Sequence, residues 1–191
     1  MKLYIDKQWK RALACWMAIA ISLAQPACAM AQSPIEVELL NDRAADIIGS
    51  APLQLPGLVI PEGLTGNGVV VGMADSGLDK GNLVDLPLDL QSASGRIPRV
   101  VILKSFAGRE VPDDPIGHGT HMAGTVVGSG ESSDGQFKGI APGASLYFQG
   151  LLDQDGNISP PANMETLYLP AYAAGVRIHI NGWGGTGSSY D

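Results

Sequence analysis

A general-base unit needs an imidazole that exchanges protons near neutral pH and a carboxylate that fixes its orientation. Asp75 and His118 are candidates for the two roles. Asp75 ends the apolar run Val70-Val71-Gly72-Met73-Ala74 and is followed by Ser76 and Gly77, residue types that suit a sharp turn. On its own, such an aspartate is more often a turn former or helix cap than a catalytic group. His118 lies in Gly117-His118-Gly119-Thr120-His121-Met122-Ala123-Gly124, where small residues let a helix start close against neighbouring backbone. Ala123, Gly124, Val126 and Val127 then supply a narrow apolar face for packing under a sheet.

Elements that could hold these residues alternate along the chain. Val69–Ala74, Val100–Phe106, Ala144–Gln149 and Val176–Ile180 read as strands, the first nearly all apolar, as in a parallel strand covered on both faces. Thr120–Val127 and Met164–Ala174 have helical character. The second has Asn163 as N-cap, Gly175 as stop and an interior Pro170 that should kink it. Strands alternating with helices imply an α/β fold with a mostly parallel sheet and a site beyond the strands' C-terminal ends. Ahead of these lies a polar, proline-containing stretch, 32–63, with a short amphipathic run at Asp42–Ile48. Gly66-Asn67-Gly68 precedes its strand, whereas a phosphate-binding loop must follow one and open a helix.

Asp-Ser-Gly at a strand end, then His-Gly-Thr-His-x-Ala-Gly some 40 residues later, resembles the subtilases, whose triad runs Asp, His, Ser. Gly139-Ile140-Ala141-Pro142-Gly143-Ala144 is similar to the turn leading into the next subtilase strand. The stretch 171–184, ending Asn181-Gly182-Trp183-Gly184, resembles the segment bordering the specificity cleft. Its wording, with Asn41-Asp42, Ala45 and Ile47, is similar to large secreted bacterial subtilases carrying an added β-sandwich domain. The resemblance covers roughly residues 41–191.

It implies an α/β, subtilisin-like three-layer fold, incomplete at its C-terminal side, and a serine endopeptidase activity. Asp75 matches the triad carboxylate, His118 the general base and His121 a structural position of the motif. Gly182, Trp183, Gly184 and the loop holding Gly156 resemble the rims between which an extended peptide binds as an added strand. Gly182 departs from the family, which usually has serine there. The nucleophile's Gly-Thr-Ser-x-Ala motif and the oxyanion asparagine do not occur, and Ser188 and Ser189 stand in the wrong context. The expectation is therefore a catalytic-domain fragment, inactive by itself. The rival is a pseudoprotease that binds extended peptides without cutting them.

Metal chemistry is poorly supported. His118 and His121 have no evident third ligand, and the run Asp153, Asp155, Asn157 has Ile158 where an EF-hand loop needs glycine. No cofactor is expected for catalysis. The resemblance leaves room for a structural calcium whose ligands the sequence does not identify.

The N-terminus reads as a secretory signal over residues 1–31. Lys2, Lys7, Lys10 and Arg11 precede the apolar Ala12–Ala24, and small residues frame Cys28 and Met30. Thirteen apolar residues are too few to span about 30 Å of hydrocarbon. Residues 32–65 then form an N-terminal segment of the mature chain, and 66–191 the partial catalytic domain. Cleavage removes four of twelve basic and one of nineteen acidic residues, leaving eight against eighteen and a formal charge of −10. That balance argues against a nucleic-acid partner. Both cysteines, Cys15 and Cys28, leave with the signal, and with them any disulfide or catalytic thiol. A secreted (extracellular or periplasmic) protein without stable membrane association is expected, monomeric at full length and poorly soluble as residues 32–191 alone.

Overall fold

The computed structural model describes residues 41–92 and 97–184. The signal segment, Ser188 and Ser189 lie outside the described residues. Four strands, β1 (Val70–Asp75), β2 (Val100–Ser105), β3 (Ser145–Gly150) and β4 (Ile178–Asn181), form one sheet in the order β2-β3-β1-β4. All three pairings are parallel, with Val71 opposite Leu146 and Ile178, and Asp75 opposite Gly150. Among the described residues three α-helices accompany them: α1 (Asn41–Ile47), α2 (His118–Val127) and α3 (Glu165–Ala173).

The period-two alternation of strand side chains sorts the core into two layers. Val71 and Met73 of β1 and Leu146 and Phe148 of β3 share a cluster with Ala123 and Val127 of α2. Their alternates face the other way: Ala74 joins Leu167 of α3, and Tyr147 joins Ala171 and Val176. Helix, sheet and helix thus make the expected three layers. On the second face Gly72 is required by close approach, since a Cβ there would lie 2.6 Å from the His179 ring and 2.8 Å from Val176.

Element boundaries shift from the sequence reading in instructive ways. α2 begins two residues earlier than Thr120, at His118 itself. Its buried face is Gly119, Ala123 and Val127, at spacing four, whereas Gly124 sits off that face with open space beside it. α3 continues through Pro170, and its N-cap is Met164 rather than Asn163, which lies one residue further out and accepts the Glu165 N–H at 3.0 Å. Gly175 stops it with φ +97°. β4 starts at Ile178 rather than Val176, because the Val176 N–H instead closes the helix end onto the Ala171 carbonyl.

Hydrogen bonds tie the segment before β1 to later loops, with the Thr65 carbonyl accepting the Gly143 N–H at 2.7 Å and that of Val69 the Ser145 N–H at 2.9 Å. Gln54 donates to the Gly139 and Ile140 carbonyls at 3.0 Å each. Among the described residues no helix is long and apolar enough to cross a membrane.

Candidate active site

Parallel strands bring their C-terminal ends to one edge of the sheet, and β1 is the strand at which the chain order reverses, with β3 on one side and β4 on the other. Ligands of open α/β sheets bind in the crevice such a reversal opens. Asp75 is the last residue of β1 and is fully buried. His118 opens α2, which packs against β1 and β3.

The two side chains meet there. His118 Nδ1 donates to Asp75 Oδ1 at 2.7 Å, and the same oxygen accepts the Ser76 N–H at 2.7 Å. The carboxylate is 1% exposed and the imidazole 47%. With Nδ1 committed to the carboxylate, the neutral ring carries its free lone pair on Nε2, which has no partner among the described residues. The arrangement can therefore accept a proton at Nε2 while the buried carboxylate stabilises the resulting imidazolium.

Close backbone approach explains the glycines around the pair. A Cβ on Gly119 would stand 2.3 Å from the Gly77 carbonyl oxygen and 3.1 Å from Phe148, and one on Gly77 would stand 2.0 Å from the Asp113 carbonyl oxygen. Only bare glycine backbone lets the start of α2 lie against the turn after β1.

Sequence reasoning had not picked out the polar groups behind this contact. Ser76 Oγ accepts the Gly119 N–H at 2.8 Å and donates to Asp114 Oδ1 at 2.7 Å. Asp114 Oδ2 accepts both the N–H and the hydroxyl of Thr120, at 2.8 and 2.6 Å. The available signal was Asp114 itself, an acidic residue just ahead of a helix whose N-cap is a glycine.

The other candidate residues lie at the same sheet edge. Gly182 follows β4, and a Cβ there would lie 3.0 Å from Asp75 Oδ2, 3.0 Å from Met122 Cε and 3.3 Å from His118 Cε1. Asp75 Oδ2 is buried and has no hydrogen-bond partner among the described residues. The departure from serine at 182 thus falls beside that unpaired oxygen of Asp75. Trp183 turns its indole N–H to the Ala74 carbonyl at 2.9 Å, so its side chain ties the β4 exit to β1. Gly184 is exposed, with open space around it.

Beyond β3 the chain folds back on itself through the Leu152–Ile158 bridge, with Gly156 at the turn (φ +81°). Asp153 Oδ1 accepts the N–H groups of Asp155 and Asn157, at 3.0 and 2.9 Å, which accounts for this acidic run as a turn. Among the described residues no cluster of three or more His, Cys, Asp or Glu could hold a metal ion.

In sequence, the chain is similar to known proteins. The model of the Subtilase family matches residues 66–191. "Serine protease/ABC transporter B family protein tagB" of Dictyostelium discoideum is 30% identical over 128 residues, covering 63% of this chain and 7% of that protein. "Serine protease AprX" of Bacillus subtilis is 36% identical over 94 residues, 49% of this chain and 19% of that protein. "Subtilisin BL" of Lederbergia lenta is 33% identical over 94 residues, 49% of this chain and 29% of that protein. The chain thus spans a small part of the length of these relatives. With the family model covering most of the chain, on an α/β parallel sheet, the protein belongs to the subtilase family.

Proposed function

We propose that this chain supplies the general-base half of a secreted serine endopeptidase, with His118 as base and Asp75 as its orienting carboxylate. The 2.7 Å bond between His118 Nδ1 and Asp75 Oδ1 at the sheet edge carries the reading. A serine hydroxyl placed at His118 Nε2 gives up its proton as it attacks the scissile carbonyl, and the imidazolium returns that proton to the departing amine. The substrate lies extended between the Gly182–Gly184 backbone and the turn at Gly156, held by main-chain hydrogen bonds. The basic and apolar N-terminus directs export.

The 191 residues contain no Gly-Thr-Ser-x-Ala motif, so on this reading they do not cleave peptides unaided. Labelling with a serine-directed fluorophosphonate tests the assignment. The 191-residue chain stays unlabelled, and a chain continued through such a motif becomes labelled. His118→Ala then lowers peptide turnover of the longer chain by roughly 10⁴-fold or more, the scale on which triad members act. Stoichiometric labelling of the 191-residue chain at Ser188 or Ser189 overturns the reading.

A further inference from the structure

We propose that Asp114 is a positioning residue that sets the place of His118 against Asp75. The inference rests on the general-base reading above and goes beyond the two-residue pair.

A helix start leaves its first N–H groups without intrahelical partners, and a side-chain oxygen on the N-cap residue normally meets one of them. α2 cannot use that device. Its N-cap is Gly117, at φ +82° and without a side chain. Asp114, three residues earlier, takes over the task. Its Oδ1 accepts the Gly117 N–H at 3.0 Å, and its Oδ2 accepts the Thr120 N–H at 2.8 Å, so one carboxylate brackets His118 from both sides in sequence.

The same carboxylate also reaches the strand end. Ser76 donates its hydroxyl to Asp114 Oδ1 and its N–H to Asp75 Oδ1, the oxygen that holds His118. A closed circuit results: His118 to Asp75, Asp75 to Ser76, Ser76 to Asp114, and Asp114 back to the first turn of α2. A further tie runs from Thr120, whose hydroxyl donates to Asp114 Oδ2 and accepts the Asp79 N–H at 2.8 Å. The Asp114 N–H itself donates to the Asp79 carbonyl at 2.9 Å. Asp114 thus accepts four hydrogen bonds, two on each oxygen, which fills a carboxylate's capacity and leaves its orientation no freedom.

Its neighbour Asp113 shows that proximity alone does not confer this role. Asp113 pairs with Arg109, accepting from Nε at 3.1 Å and Nη2 at 2.6 Å, and accepts nothing from α2 or Ser76.

The test compares variants of both aspartates in a chain continued through the serine motif. One readout is the His118 Nδ1-bound proton resonance, identified by its loss in His118→Ala. The second is the rate of fluorophosphonate labelling, and thermal melts establish folding. Asp114→Ala is expected to lose or shift the resonance and to slow labelling by at least about tenfold, since small displacements of a reacting group cost on that scale. Asp114→Asn keeps an acceptor for Ser76 and Gly117 but presents an amide to the Thr120 N–H, so it should fall between. Asp113→Asn should leave both readouts unchanged.

Unchanged resonance and labelling in a folded Asp114→Ala overturns the proposal, as does an equal loss in Asp113→Asn. If Asp114→Ala does not fold, Asp114→Asn decides by the same two readouts. A parent chain that never labels defeats the protease reading, while the resonance still tests Asp114.

Discussion

β1 and β4 are parallel neighbours in one sheet, yet they differ in almost every physical respect. β1 is buried from Val71 to Asp75, with a helix on each face and a strand on each side. β4 has one neighbour among the described strands, and Ile178 is 56% exposed. The site proposed above draws one part from each: the carboxylate from the buried end of β1, and the backbone of Gly182–Gly184 from the end of β4. Chemistry that needs a fixed, water-shielded group sits where burial is deepest. The backbone proposed to take up an added strand lies at the exposed edge, where Gly182 and Gly184 face solvent.

The most severe way to break the β1 end is to separate it from α2. Gly119→Ala places a Cβ 2.3 Å from the Gly77 carbonyl oxygen, a backbone atom that cannot swing aside. We expect a loss of about 3 kcal/mol by chemical denaturation, the upper part of the overpacking range, together with loss of the His118–Asp75 bond.

The contrast between centre and edge sharpens with a pair of truncations. Leu146, fully buried in β3 beside β1, should cost about 2–5 kcal/mol as Leu146→Ala. Ile178→Ala, at the exposed edge, should stay within about 0.5 kcal/mol. Similar losses at the two positions would mean that β4 is as buried in solution as β1.

A smaller effect is expected where the two strands meet. Gly182→Ala and Gly182→Ser add the same Cβ against Met122 and Asp75, but only serine brings a donor near the unpaired Asp75 Oδ2. The serine variant should be the more stable of the two in a denaturant titration, because an unmet buried acceptor is costly. The reverse order would show that crowding, not the missing donor, governs this position.

The smallest effect is pH dependence from β4. Burial lowers the pKa of His179 from its ordinary value of 6.5. Its Nε2 faces the Gln149 carbonyl oxygen, whose amide nitrogen is committed to Leu167, so Nε2 carries the proton and Nδ1 is left bare. Unfolding frees the imidazole to protonate, so the unfolded state binds more protons once the pH drops toward 6.5. Stability should therefore decline as pH falls through that region and level off below the folded-state value. His179→Phe should flatten the profile, and an unchanged slope would assign it elsewhere.

The strands were legible because β1 and β3 are apolar runs bounded by turn residues, and their ends shifted by only one residue. β4 was less so. The sequence run continues back to Val176, but that residue's N–H is captured by the end of α3. The apolar face of α2 was read one position off at Gly124, because glycine has no hydrophobicity to reveal which side it faces. Gly119, equally silent, is the one pressed against Gly77.

Residue order by itself determined the alternation of strands and helices, the aspartate at a strand end and the histidine in its glycine-rich setting. These are local properties, written in runs of a few neighbouring residues. Only the tertiary structure decided that Asp75 and His118 meet at 2.7 Å, that Asp114 rather than Asp113 anchors α2, and that Trp183 bonds to Ala74 instead of facing outward. Each of those depends on which carbonyls, hydroxyls and carboxylates folding brings within about 3 Å of one another, and such distances join residues far apart in the chain.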